Sequence, residues 1–346
     1  MHTTGLMDTA QSMLAADKGL LAMDESTGTC NKRFAALGIP QNEDTRRAYR
    51  ELILTTPDLS TCIGGLILYD ETIRQKKEDG TPFLQIIKDA GIIPGIKVDT
   101  GAKDMPFFPG EKITEGLDGL RERLAEYNRM GARFCKWRAV ISIGDNIPHR
   151  ACIEANAQAL ARYAALCQEA DLVPVVEPEV VMSGEHTLQK CADVTEEVLH
   201  IVFEQLYLQR VVLEGMILKP NMVLAGLSSS EQKSLEDVAS ATVQCLLHSV
   251  PAAVAGIAFL SGGQSAELAS ARLNTMNSVY KSKLPWPLAF SFARAIQQPA
   301  LEIWQGKKSN VVAAQEALYH RALCNQTARR GHYDAKMEAQ YAGKNT

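Results

Sequence analysis

Short apolar runs alternate with longer stretches of helical periodicity along the chain. Eight of these runs are apolar on both faces, which is typical of strands buried in a parallel sheet. The predicted strands are Gly19–Ser26, Cys62–Tyr69, Ile92–Val98, Ala132–Ser142, Leu172–Val180, Met216–Leu218, Ala255–Leu260 and Leu288–Phe292. Segments such as Glu43–Leu54, Leu117–Met130 and Cys152–Ala170 are predicted to be helices between them. Regular alternation of strand and helix predicts a parallel sheet with helices packed on it.

Eight strand–helix units predict an α/β fold, a single closed (β/α)8 barrel of the TIM type that covers residues 1–346. The structural alternative is an open, doubly wound sheet. No G-x-G-x-x-G follows a predicted strand, no P-loop is present, and no Pro/Gly/Ser-rich linker divides the chain. The polar residues from about 334 onward are expected to form a loosely ordered tail.

Composition narrows the classes of function. The net charge of −4 gives no basic field that would recruit nucleic acid or a membrane, so neither partner is expected. Eight scattered cysteines without a C-x-x-C pair indicate free thiols in a reducing, cytoplasmic environment. No signal peptide and no apolar stretch of about 18 residues is recognisable, so a secreted or membrane-spanning protein is not expected.

Charged residues fall at the ends of the predicted strands. In a barrel, the carboxyl ends of the strands gather at one face, where active sites lie. Lys136 and Arg138 are two residues apart, as are Glu177 and Glu179, so each pair shares one face of its strand. A structural ion-pair network is the alternative. The polar residues within or just after strands are Asp24, Lys97, Lys136, Arg138, Glu177, Glu179, Lys219, Ser261 and Arg294.

Lys219 ends an apolar run and precedes Pro220, which has no backbone donor and so ends regular strand pairing. An amine above an apolar floor loses its proton more easily than an amine in water. A neutral lysine can attack a carbonyl carbon and form a Schiff base. The alternative is a salt-bridged lysine that closes a strand.

Six motifs carry a family resemblance. They are Met23–Gly28 (MDESTG), Ile92–Asp99 (IIPGIKVD), Phe134–Arg138 (FCKWR), Val175–Glu179 (VVEPE), Leu213–Pro220 (LEGMILKP) and Phe259–Gln264 (FLSGGQ). These six motifs, in this order along the chain, resemble those of the class I fructose-bisphosphate aldolases. The resemblance implies a barrel enzyme that cleaves fructose 1,6-bisphosphate through a lysine Schiff base. It also implies that no metal or other cofactor is needed and that the chain forms a homotetramer.

The resemblance implies a role for each catalytic candidate. Lys219 matches the Schiff-base lysine, and Glu177 matches the general acid and base, with Glu179 as its electrostatic partner. Asp24 matches the residue that takes the proton of the substrate's C4 hydroxyl. Lys136 and Arg138 match active-site cations, whose charge should lower the pKa of Lys219 further.

The resemblance also implies a phosphate site at each end of the substrate. Ser261, Gly262 and Gly263 follow a strand and offer backbone N–H groups to an anion, with Ser291 and Arg294 beside them. Alone, this sequence would suit an ordinary turn. The other end matches Ser26, Thr29, Arg33 and Lys97. Many animal-type members end in tyrosine, whereas this chain ends in Thr346 with Tyr341 the nearest tyrosine, so a weaker catalytic role of the tail is expected.

Three other classes of function compete with this one. A metal-dependent lyase or hydrolase would need clustered ligands, yet none of the seven histidines lies in a predicted strand and no H-x-x-x-H occurs. A catalytically silent scaffold protein would not need the complete set of Lys219, Glu177, Asp24 and Lys136. A Schiff-base aldolase or transaldolase for a smaller substrate would not need two phosphate sites.

Overall fold

The computed structural model describes residues 3–342, with the side chains of residues 340–342 excepted. The strands are β1 Gly19–Ala22, β2 Ile63–Leu68, β3 Ile93–Lys97, β4 Gly101–Asp104, β5 Lys112–Glu115, β6 Phe134–Ile141, β7 Val173–Val180, β8 Ile217–Leu218, β9 Gly256–Phe259 and β10 Leu288–Phe292. The helices are α1 Thr3–Met13, α2 Thr27–Ala35, α3 Glu43–Leu54, α4 Asp70–Arg74, α5 Phe83–Asp89, α6 Leu120–Met130, α7 Arg150–Glu169, α8 Leu188–Leu208, α9 Leu235–Ser249, α10 Ala266–Tyr280, α11 Arg294–Trp304, α12 Val311–Arg330 and α13 Lys336–Ala342.

Eight parallel strands close into a barrel in the order β1-β10-β9-β8-β7-β6-β3-β2. The prediction of a (β/α)8 barrel is therefore confirmed, and each of the eight predicted strands contains a strand of the barrel. The remaining strands, β4 and β5, form a separate antiparallel hairpin. Because all barrel strands run in the same direction, their carboxyl ends lie at one rim, which is where the predicted site residues occur in the sequence.

The barrel interior is packed with apolar side chains below that rim. Phe134 fills space that Gly95 leaves open: a Cβ on Gly95 would lie 2.3 Å from the Phe134 ring. Helix α1 contributes Leu6, Ala10 and Met13 to this interior cluster and covers the amino-terminal end of the barrel. A second and larger apolar cluster lies between the strands and the surrounding helices. The polar chemistry is thus confined to the other end of the barrel.

One local prediction is wrong, and one element was not predicted. An acidic capping box at Asp193 and Glu196 indicates a helix that begins at Glu197, but α8 begins at Leu188, where the Thr187 hydroxyl accepts a hydrogen bond from the Lys190 N–H at 3.1 Å. The helix is therefore capped by Thr187, which lies six residues before the predicted cap Asp193 and makes the side-chain hydrogen bond that was expected of Asp193. The β4–β5 hairpin was also missed, because its polar, largely exposed residues lack the apolar run that marks a buried strand.

The carboxyl-terminal segment, where a loosely ordered tail is expected from about 334, includes a short helix. Helix α13 extends from Lys336 to Ala342, and Glu338 forms an ion pair with Arg321 of α12. The side chain of Tyr341 and all of residues 343–346 lie outside the described residues, so the expected role of the tail stays a prediction. Among the residues that the structure covers, no helix is both long and apolar enough to cross a membrane.

Candidate active site

A cavity of about 980 Å³ opens at the carboxyl ends of the strands. Its walls come from residues that follow or lie within seven of the eight barrel strands, so residues far apart in sequence meet there. The structure brings together all the predicted site residues. They are Asp24, Ser26, Thr29, Arg33, Lys97, Lys136, Arg138, Glu177, Glu179, Lys219, Ser261, Gly262, Gly263, Ser291 and Arg294.

Lys219 lies directly after the two-residue strand β8, and backbone hydrogen bonds to the two neighbouring strands' segments hold Lys219 and Pro220 in place. Its N–H donates to the Val176 carbonyl at 2.8 Å, and the Pro220 carbonyl accepts from the Leu260 N–H at 3.0 Å. The residue is only 3% exposed, and its Nζ lies 3.3 Å from Glu177 Oε1. Burial is the largest effect on this amine and lowers its pKa, and the positive charge of Lys136 adds to the decrease although Glu177 opposes it. A buried amine with a lowered pKa supplies the neutral nucleophile more readily than an exposed lysine does.

Lys136 connects the two other central carboxylates. Its Nζ lies 2.7 Å from Asp24 Oδ2 and 3.1 Å from Glu177 Oε2, and the residue is 3% exposed. Burial disfavours the ammonium ion, but the charges of Asp24 and Glu177 outweigh burial and raise the pKa of Lys136 well above its usual range. Lys136 is therefore a fixed cation, and Lys219 is the amine that can lose its proton. The contrast between two buried lysines in one cavity comes from the number of carboxylates that each contacts.

The surrounding cations favour the ionised forms of Asp24 and Glu177 despite their burial. Burial opposes the charge on Asp24, but Lys136 and Lys219 hold its pKa at about 2. Burial likewise opposes ionisation of Glu177, and Lys136, Lys219 and Arg138 together lower its pKa. Because Glu177 is a carboxylate beside the Lys219 ammonium, it can accept a proton from that amine and afterwards return it as an acid.

Strand register explains the pairing on the barrel wall. Lys136 and Arg138 face inward on β6, and Arg138 lies directly opposite Glu177 of β7. Arg138 forms an ion pair with Glu179 through its Nε, so the two-residue spacing on each strand aligns two pairs of charges. Lys97 of β3 lies opposite Lys136, and Asp99 neutralises Lys97 at 2.9 Å from its Nζ. Positive and negative side chains therefore lie next to one another on the barrel wall, and this pairing offsets the cost of burying several charges together.

One end of the cavity has the features of an anion site. Gly262 and Gly263 adopt left-handed backbone conformations with φ of 57° and 88°. A side chain on Gly262 would clash with Met182, whose Cε would lie 2.4 Å from the added Cβ. Helices α10 and α11 begin beside this turn, and the first N–H groups of a helix attract anions. The buried Ser291 hydroxyl has no hydrogen-bond partner among the residues that the structure describes, and a bound anion would satisfy it.

The opposite end is lined by Ser26, Thr29, Arg33 and Lys97. The Ser26 hydroxyl caps α2 by accepting from the Thr29 N–H at 3.4 Å and lies 3.2 Å from the Thr29 hydroxyl. Arg33 forms an ion pair with Glu25, and its Nη2 donates to Gln298 at 3.1 Å. The guanidinium is thus held in place before any ligand arrives.

Three supporting residues were not among the predicted site residues. Asp99 pairs with Lys97 and accepts from the Arg138 N–H at 3.2 Å. Asp99 lies two residues after Lys97, the same spacing as that of Lys136 and Arg138. It could therefore have been predicted from the sequence. Glu25 lies between Arg33 and Arg50, and Gln297 accepts from Tyr49 and Arg33. No spacing rule distinguishes Gln297, because its neighbours come from α2 and α3.

A buried lysine amine in contact with a carboxylate, at the carboxyl-terminal rim of a closed α/β barrel and beside a turn with the features of an anion site, is typical of a carbon–carbon lyase. The family model for class-I fructose-bisphosphate aldolase matches residues 5–346. A probable class 1 fructose-bisphosphate aldolase of Xanthomonas campestris is 56% identical over 96% of this chain and 99% of its own length. A cytosolic fructose-bisphosphate aldolase of Arabidopsis thaliana is 52% identical over 92% of this chain and 89% of its own.

A solved structure is similar over the same extent. The fructose-bisphosphate aldolase of Plasmodium falciparum, in complex with TRAP and a small-molecule inhibitor, superposes with a TM-score of 0.94 at 46% identity over 96% of both chains. The chain belongs to the class I fructose-bisphosphate aldolase family. It is a glycolytic lyase that reversibly cleaves fructose 1,6-bisphosphate into dihydroxyacetone phosphate and glyceraldehyde 3-phosphate.

Proposed function

We propose that Lys219 forms the Schiff base with the ketose carbonyl and that Glu177 moves the protons of that step. The observation that carries this proposal is the contact of 3.3 Å between Lys219 Nζ and Glu177 Oε1 in a fully buried pair. Transfer of the ammonium proton to Glu177 produces a neutral amine and a carboxylic acid together. The amine attacks carbon 2 of the sugar to form a carbinolamine, and the acid protonates the departing hydroxyl so that water leaves.

In this proposal, the resulting iminium ion is the electron sink for bond cleavage. Asp24 removes the proton of the C4 hydroxyl, the C3–C4 bond breaks, and its electrons form an enamine attached to Lys219. A pKa of about 2 keeps Asp24 ionised and ready to accept that proton. The aldehyde leaves, the enamine is protonated at carbon 3, and hydrolysis releases dihydroxyacetone phosphate.

Lys136 and the pair formed by Arg138 and Glu179 have an electrostatic role in this proposal. Lys136 contacts both Asp24 and Glu177, so its charge keeps both carboxylates ionised between proton transfers. Arg138 also contributes to the lowered pKa of Glu177. Because these groups are fixed in position before the substrate binds, little reorganisation is needed when charge develops.

We propose that the ketose phosphate binds at Ser261, Gly262, Gly263, Ser291 and Arg294. Replacing Arg294 by alanine should weaken binding of dihydroxyacetone phosphate by tenfold or more, because a hydrogen bond to a charged group contributes about 1.5–3 kcal/mol. Ligand titration by calorimetry measures this change. Arg150→Ala is the matched control, since Arg150 is an exposed arginine that pairs with Glu154. Unchanged affinity in Arg294→Ala would place the phosphate elsewhere, and borohydride trapping at saturating ligand should still yield the adduct.

The other phosphate is proposed to bind beside Ser26, Thr29, Arg33 and Lys97. We expect the catalytic efficiency to be higher with fructose 1,6-bisphosphate than with fructose 1-phosphate by at least about tenfold, because the monophosphate leaves this set unused. A cleavage assay with both sugars and with sedoheptulose bisphosphate measures this preference. Equal efficiency with the mono- and bisphosphate would contradict a second phosphate site.

Turnover is proposed to require neither a metal ion nor another cofactor. Lys219, Glu177 and Asp24 supply the electron sink and the proton transfers, so excess EDTA should leave the cleavage rate unchanged. The same assay with and without the chelator tests this prediction. A rate that falls with EDTA and returns when a divalent ion is added would favour metal-assisted cleavage.

We propose that the protein is cytoplasmic and assembles as a homotetramer. A cytoplasmic location is supported by the eight free cysteines, all of them buried, and by the relative named as cytosolic. A homotetramer is proposed from the family resemblance, and exposed apolar residues such as Tyr207 and Leu208 are compatible with contact between copies. Nucleic acid and membranes are not proposed as partners, in agreement with the net charge of −4.

A further inference from the structure

Helices α12 and α13 bring three potential metal ligands together outside the catalytic cavity. His320 and Cys324 are one turn apart on α12, and α13 turns back so that Glu338 reaches them. The His320 Nε2 lies 3.0 Å from Glu338 Oε2 and 3.5 Å from Cys324 Sγ. All three ligand atoms lie within 4.8 Å of one another. None of these residues lines the cavity that contains Lys219.

The geometry argues against a nucleophilic relay. In a Cys–His–carboxylate triad, the thiol and the carboxylate contact opposite nitrogens of the imidazole ring. Here both groups face the same nitrogen, Nε2 of His320. A sulfur, a nitrogen and a carboxylate oxygen therefore converge on one point, which is the arrangement that a coordinated cation requires.

We propose that His320 Nε2, Cys324 Sγ and Glu338 Oε2 bind a divalent transition-metal ion of the zinc type, with water as the fourth ligand. Zinc takes these three ligand types at about 2.0–2.3 Å in a tetrahedral arrangement. Such bonds place ligand atoms about 3.3–3.8 Å apart. The sulfur–nitrogen separation of 3.5 Å lies within this range, the nitrogen–oxygen separation of 3.0 Å lies just below it, and the third separation is no more than 4.8 Å. Small side-chain shifts would therefore complete the site.

The surroundings of Glu338 fix the orientation of its carboxylate. Its other oxygen, Oε1, accepts a hydrogen bond from the Tyr333 hydroxyl at 2.9 Å and forms an ion pair with Arg321. Arg321 is only 3% exposed, and its Nη2 donates to Ser270 at 2.8 Å. Hydrogen bonds to the non-coordinating oxygen of a ligand carboxylate are typical outer contacts of metal sites. Oε2 is left facing the imidazole and the thiol.

Binding requires the loss of one proton. A coordinated thiol loses its proton to the solvent as the metal–sulfur bond forms. The bound ion would connect α13 to α12 and so hold the carboxyl-terminal segment in place.

The experiment uses Co²⁺ as a spectroscopic probe on the full-length protein after removal of metals with a chelator. Titration should produce thiolate-to-cobalt charge-transfer absorption that saturates at one equivalent per chain, and Zn²⁺ should abolish it. Cys324→Ser should lose the absorption. Cys62→Ser should retain it, because Cys62 is equally buried but contacts Thr61 and Gln326 instead of ligand residues.

Tyr333→Phe provides a test that does not alter a ligand. Loss of its hydrogen bond to Glu338 should weaken Co²⁺ binding by about 10–100-fold, the usual effect of removing an outer partner of a ligand. Absence of charge-transfer absorption in the unmodified protein, or equal absorption in Cys324→Ser, would overturn the proposal. If Cys324→Ser does not fold, unchanged affinity in Tyr333→Phe would overturn it instead.

Discussion

Replacing Lys219 by methionine is expected to eliminate covalent trapping of dihydroxyacetone phosphate by borohydride and to lower cleavage by about 10⁴-fold or more, as when a catalytic nucleophile is removed. Methionine retains the length and the apolar stem of lysine, so packing against the barrel floor is preserved. The exchange removes the amine and replaces one methylene by a sulfur atom. Because Lys136 and Glu177 keep their direct contact at 3.1 Å, the rest of the charge network stays paired.

Mass mapping of the trapped peptide identifies the lysine directly. The adduct should occur on Lys219 in the unmodified enzyme, since the pKa of Lys219 is lowered whereas that of Lys136 is raised. Lys103→Met, at an exposed position in β4, is the control and should retain both trapping and cleavage. An adduct on Lys136, or normal trapping in Lys219→Met, would refute the assignment of Lys219 as the nucleophile.

The barrel could be predicted from the sequence because its strands are apolar on both faces. Runs such as Val173–Val176 favour burial in a parallel sheet, and a polar or charged site residue lies within or shortly after most of the predicted strands. Lys136 and Arg138 are two residues apart on β6, and so are Glu177 and Glu179 on β7. This spacing alone predicts that each pair lies on one face of its strand. Strand register then determines the contacts that the structure adds, such as Arg138 opposite Glu177.

The contacts that could not be predicted join elements distant in sequence. The Gln297 side chain of α11 donates to the Ala22 carbonyl of β1 and accepts from Arg33, and it has no distinguishing sequence pattern. The docking of α13 depends on Glu338 reaching Arg321, a pair that no periodicity reveals. The opposite pKa shifts of Lys136 and Lys219 depend on which carboxylates each amine contacts, and only the assembled barrel determines that.

Asp24→Asn and Glu177→Gln are expected to stop the reaction at different steps. Loss of a general acid or base lowers a rate by about 10²–10⁴-fold. In Glu177→Gln, both borohydride trapping and cleavage should fall by that factor, because dehydration of the carbinolamine precedes every later step. In Asp24→Asn, trapping with dihydroxyacetone phosphate should stay within about tenfold of normal, and cleavage of fructose 1,6-bisphosphate should fall by about 10²–10⁴-fold.

Neither substitution should reduce the supply of neutral Lys219 amine. Both carboxylates raise the pKa of Lys219, so removing either one lowers that pKa and increases the fraction of neutral amine. Slower trapping in Glu177→Gln therefore cannot come from a scarcity of nucleophile and must reflect lost proton transfer. Glu169→Gln and Asp104→Asn, at exposed carboxylates paired with Arg121 and Lys112, are the matched controls. If Asp24→Asn slows trapping as much as cleavage, Asp24 acts before the carbon–carbon bond breaks, and the assignment of the C4 proton to it is wrong.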